Sequence, residues 1–90
     1  VLMIDVVDEA TTGAPPARSR LEIPAERLTL RELIRRRAAG EGFDRAVTAF
    51  AGNGFVVLVG DRQVEDLDEV LELPTGTEVT FLRLVPLAGG

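Results

Sequence analysis

Ninety residues, 46% apolar and 28% charged, describe one globular domain, too short for a second core and too apolar for a disordered chain. Fifteen acidic and ten basic residues leave a net charge of −5, which opposes a nucleic-acid partner, since phosphates call for a basic face. No apolar run is long enough to span a bilayer and no charged-then-apolar leader opens the chain, so neither a membrane nor a secretory signal is expected.

The missing residue types narrow the chemistry. There is no cysteine, which suits a reducing, cytoplasmic setting. Without histidine or cysteine, zinc and iron–sulfur centres have no ligands, and no metal site is expected. Thiol and triad mechanisms lack their members, and Ser19 is the one serine. There is also no lysine for a Schiff base or a phosphate loop, and all ten basic residues are arginine. A catalytic enzyme is not expected.

Along the chain, "LMIDVVDEA" (2–10) is rich in Leu, Ile and Val and predicts a first strand. "TTGAPPA" (11–17) is a loop by its glycine and paired prolines, and "ARSRLEIP" alternates around Leu21 and Ile23 as a strand paired back on the first. "TLRELIRRRAAG" is the clearest helix. Thr29 can cap its start, Glu32 stands at capping-box spacing, and Leu28 precedes the cap with Leu33 at the staple position. Leu30, Leu33 and Ile34 make its apolar stripe, and Gly40 is a candidate stop. Arg31 and Arg35–Arg37 read as a solvated, basic helix face, well placed for the helix dipole.

"AGEG" (39–42) leads abruptly into a second, short helix with Phe43, Val47 and Phe50 on its apolar face, ended by Gly52-Asn53-Gly54. "FVVLVG" (55–60) is a continuous apolar run and predicts a buried central strand. A turn and a short strand around Gln63–Val64 follow. "LDEVLEL" (67–73) fits a helical turn, a short strand or both, "PTGT" is a turn, and "EVTFLRLVP" is the last strand. In that strand Val79 and Phe81 fall on one face, and Thr80, Leu82 and Leu84 on the other. The acidic run Glu65–Glu69 lacks calcium-loop spacing and reads as a solvated face, or as a patch that steers a basic partner.

The order β-β-α-α-β-β-β predicts an α+β fold of the β-grasp type. A mixed five-stranded sheet would pack on the main helix, burying Leu30, Leu33 and Ile34 against Ile4, Val6, Val57 and Phe81. Residues 1–85 would form the domain and 86–90 a flexible tail. In element order and in its ending, Pro86-Leu87-Ala88-Gly89-Gly90, the chain resembles the ubiquitin-like β-grasp superfamily. Within it, the tail is close to the Pro-Val-Ala-Gly-Gly of the small subunit of molybdopterin synthase, a relative of the thiamine-biosynthesis sulfur carrier. It is further from ubiquitin, because Pro86 and Ala88 stand where ubiquitin has arginines. The stretch from Asn53 to the tail also resembles a group of bacterial ubiquitin-like proteins.

The resemblance implies a reaction carried out by another protein. An adenylating enzyme of the ubiquitin-activating type would join the Gly90 carboxylate to ATP, with ATP used by that enzyme and no cofactor bound here. The adenylate would pass to a sulfur-accepting route as a thiocarboxylate, or through an enzyme thiol to an isopeptide on a conjugation target. Gly89 and Gly90, lacking Cβ atoms, would let the backbone thread a narrow channel, and Pro86, lacking an N–H, would end the sheet. Leu82, Leu84, Val85, Pro86, Leu87 and Ala88 are the implied partner-binding residues. Two readings stay open for Leu82 and Leu84: a docking patch for the activating enzyme, or a face partly covered by a loop. A protein-interaction module with an inert tail is the other class of function. A chain without lysine offers no ε-amine to its own activated tail, whichever pressure removed the lysines.

Overall fold

The structure, a computed structural model, describes residues 2–38 and 42–85. The first strand, β1 (Leu2–Ala10), turns through residues 11–16 into β2 (Ala17–Ile23). A two-residue strand, β3 (Leu28–Thr29), leads into α1 (Leu30–Ala38), and α2 (Gly42–Ala51) follows. The remaining strands are β4 (Phe55–Val59), β5 (Arg62–Val64), β6 (Val70–Leu71) and β7 (Glu78–Arg83). The architecture is α+β, with a five-stranded sheet in the order β2-β1-β7-β4-β5 and a small second sheet of β3 and β6.

The main sheet is mixed. β1 runs parallel to β7, with Asp5 beside Glu78 and Ala10 beside Arg83, while the β1–β2, β4–β5 and β4–β7 pairs are antiparallel. Parallel neighbours cannot be joined by a tight turn. Everything between β1 and β7, both helices included, forms the crossover.

The helix starts where the side chains dictate. The Glu32 amide donates to the Thr29 hydroxyl at 3.1 Å, which satisfies one of the amides left unpaired at a helix start. The Glu32 carboxylate does not complete the reciprocal half of a capping box; it pairs with Arg35 and Arg36 one turn on. Leu30, Leu33 and Ile34 are buried in one core cluster with Ile4, Val6, Ile23, Val57, Val79 and Phe81. Leu28 joins that cluster from β3, held there by pairing with Leu71 of β6.

Two expectations change. α2 has no fully buried residue, and Phe43, Ala46 and Phe50 touch the core while Val47 does not, so the helix covers an edge of the core and does not cross it. In β4 only Val57 is buried. A continuous apolar run suits a strand covered on both faces, as in helix-flanked parallel sheets. The helical core here meets one face, so Val56 and Leu58, alternating with Val57, are left half-buried on the other. Of the alternatives open for "LDEVLEL", the structure has a turn at Leu67–Asp68 followed by the short strand β6. The candidate stop Gly40 and most of the "AGEG" joint lie outside the described residues.

Removing the Thr29 hydroxyl strips the start of α1 of its partner. Thr29→Ala is expected to lower unfolding stability by about 1 kcal/mol, and Thr29→Ser to restore most of it, as read from urea denaturation midpoints.

Candidate docking surface and chain exit

The site is built on the helix-free face of the sheet and at the end of β7. Cross-strand register sets the rows of that face. Val7 stands beside Thr80 and Thr80 beside Leu58; Glu9 stands beside Leu82 and Leu82 beside Val56. Val7 is 1% exposed and Thr80 7%, although neither belongs to the core under α1. Arg18 of β2 reaches Glu78 of β7 at 3.0 Å, and the strand lying between them is β1. The ion pair therefore spans β1 on this face, and the aliphatic part of an arginine shields apolar surface while its head stays wet. Asp5 and Arg20, 3.2 Å apart, form a second pair close by.

Beyond this cover the face is apolar and open. Val56, Leu58 and Leu82 are half-buried, Val85 is half-buried, and Leu84 is 38% exposed. Of the expected partner-binding residues, Leu82, Leu84 and Val85 thus come together at the end of β7. Pro86, Leu87, Ala88, Gly89 and Gly90 lie outside the described residues. Sequence reading missed Val56 and Leu58 as members of this strip. Their alternation within "FVVLV" was hidden because every position there is apolar, and only register with Leu82 and Thr80 assigns them.

Leu84 and Val85 lie past the end of β7, yet both amides are engaged. The Leu84 N–H donates to the Gly54 carbonyl at 3.0 Å, and the Val85 N–H to the Thr11 hydroxyl at 2.8 Å. Thr11 donates in turn through its hydroxyl to the Val85 carbonyl at 3.3 Å, and through its amide to the Arg83 carbonyl at 3.0 Å. Gly54 is set by the end of α2. Asn53 has a φ of 59°, a left-handed stop that asparagine tolerates, and the Gly54 amide caps the Ala49 carbonyl at 2.7 Å. A Cβ on Gly54 would lie 3.2 Å from that carbonyl oxygen, so glycine suits the close approach of helix and strand.

The opposite face of the same end holds a cavity of about 450 Å³ lined by Asp8, Arg37, Ala49, Phe55, Phe81 and Arg83, among others. Its charges are largely matched internally. Arg37 pairs with Asp8 and lies over the Phe81 ring at 4.6 Å. Arg35–Arg37 are all exposed, as a solvated helix face requires, and Arg37 in addition engages the sheet. Arg37 is one turn beyond Leu33 and Ile34 on the same side of α1, so its stem extends their stripe onto the sheet. Arg35 lies over Phe43 and pairs with Glu32.

The acidic run is likewise engaged in part. Asp68 pairs with Arg31 and Glu69 with Arg62, while the Asp66 carboxylate accepts the Asp68 amide. The hydrogen bond that Arg62 donates to the Glu69 carboxylate, and then the charge of that carboxylate, push the guanidinium further above its ordinary value. Among the described residues no group of three or more carboxylates is placed to hold a metal ion, and no helix is long and apolar enough to cross a membrane. Comparison with protein-family models and with curated protein sequences finds no match.

The two faces of β7 should respond oppositely to substitution. Phe81→Ala opens the buried core and is expected to cost about 3–5 kcal/mol. Leu84→Asp, at an exposed position, should shift stability by no more than about 0.5 kcal/mol. Urea denaturation of both variants checks this.

Proposed function

We propose that this chain is a ubiquitin-like β-grasp protein whose Gly90 carboxylate is the substrate of a separate adenylating enzyme. The observation that carries the reading is the sheet order. A β1–β2 hairpin, a helical crossover and a central last strand parallel to the first are the arrangement that the β-grasp pattern demands, and the chain leaves that last strand directly into Pro-Leu-Ala-Gly-Gly. The open strip of Val56, Leu58 and Leu82, continuing to Leu84 and Val85, lies beside this exit and is the surface on which the activating enzyme would dock.

In the reaction the carboxylate attacks the α-phosphorus of ATP, releasing pyrophosphate and forming an acyl-adenylate. Displacement of AMP by a sulfur donor leaves a thiocarboxylate; displacement by an enzyme thiol, then by an amine, leaves an amide bond to a target. The proline of the tail favours the first fate, and the likeness to bacterial ubiquitin-like proteins favours the second. A second class of function, an interaction module with an inert tail, rests on the same apolar strip, which could dock a partner without any chemistry.

Deleting Gly89-Gly90 separates the classes, because a carrier or modifier loses all function and an interaction module keeps it. Intact mass after incubation with ATP and the organism's ubiquitin-activating-type enzymes identifies the fate. Exchange of one carboxylate oxygen for sulfur, or appearance of the chain on a lysine of another protein, is the expected result. An unchanged mass with every such enzyme overturns the proposal. Leu84→Asp should keep the fold and reduce ATP–pyrophosphate exchange about tenfold or more, as loss of an apolar anchor in a docked interface does.

A further inference from the structure

We propose that Thr11 is a positioning residue for Gly90 activation: it prolongs the central ladder past the end of β7 and sets the direction in which the reactive segment leaves the sheet. The proposal rests on the reading of Gly90 as the activated group. Its geometric basis is independent of that reading. In the parallel pair, β1 ends at Ala10 beside Arg83, and the chain then turns away at Thr11 and Thr12. The strand that would have bonded Val85 is no longer there.

The Thr11 hydroxyl takes its place. It accepts from the Val85 amide and donates to the Val85 carbonyl, so one side-chain oxygen serves both backbone groups of a single residue. On the other flank, Gly54 accepts the Leu84 amide. Arg83, Leu84 and Val85 are therefore held alternately from β1's end and from the start of β4, as strand residues are, though the strand has stopped. The next residue, Pro86, has no N–H, so the ladder cannot be prolonged by another amide. Thr11 thus acts on the last residue before the tail that still carries a backbone donor. A segment leaving from a fixed point samples fewer directions, which lowers the ordering cost of entering an enzyme's channel.

Thr11→Val keeps the β-branched shape and removes the hydroxyl; Thr11→Ser keeps the hydroxyl. For Thr11→Val we expect amide exchange at Val85 to quicken about three- to tenfold, the size of one exposed hydrogen bond. We expect KM for this chain in ATP–pyrophosphate exchange by the activating enzyme to rise by about the same factor, with kcat within about twofold. Thr11→Ser should return both values to those of the unaltered chain. If Val85 exchange does not change in Thr11→Val, the clamp does not exist and the proposal is overturned. It is equally overturned if exchange quickens but KM stays put, while deletion of Gly89-Gly90 still abolishes the reaction; the reading of Gly90 then survives. If the unaltered chain supports no exchange with any such enzyme, the reading of Gly90 fails and the positioning role fails with it.

Discussion

The parallel pairing of β1 and β7 is the constraint on which the rest of the structure depends. Two parallel strands side by side need a long connection, and here it contains α1, α2 and the five strands β2 to β6. The pairing also sets polarity. Because β7 runs with β1, it ends at the same end of the sheet as the β1–β2 turn, next to Thr11, and beside the α2–β4 turn at Gly54. The end of β7 is therefore flanked by the β1–β2 turn and by the turn that follows α2.

A second consequence is the unequal treatment of the two sheet faces. One receives α1 and is closed by Leu30, Leu33 and Ile34. The other has no helix among the described residues, yet Val7 and Thr80 are buried there, and the Arg18–Glu78 pair bridges β1 on that face. Exposed ion pairs of this sort contribute little to stability, on the order of 0–1 kcal/mol each. On the same face Val56, Leu58 and Leu82 are half-buried and form an apolar strip at the end of β7. Arginine has a similar double use on the helical side, where Arg37 reaches Asp8 across Phe81.

Much of this was legible in the residue pattern, and the reasons are local. Leu2–Ala10 and the start of α1 follow from β-propensity, period 3.6 and the Thr29 cap, which involve neighbours within a few positions. The tail motif needs no structure to be noticed. Less legible were the elements whose fate depends on distant strands. "FVVLV" offers no alternation to say which face is covered, Val47 and Ala46 are equally placed on a helical wheel, and nothing near Arg37 announces a partner twenty-nine residues away.

The sequence by itself determined the helix start, the main strand runs, the lack of lysine, histidine and cysteine, and the Gly-Gly ending on which the proposed chemistry rests. Those are properties of residue type and short-range spacing. Only the tertiary structure decided that Val56 and Leu58 share a face with Leu82, that Thr80 is buried, and that Thr11 and Gly54 grip Leu84 and Val85. Each of these depends on register between strands far apart in the chain, and register is a property of packing that no short stretch of sequence contains.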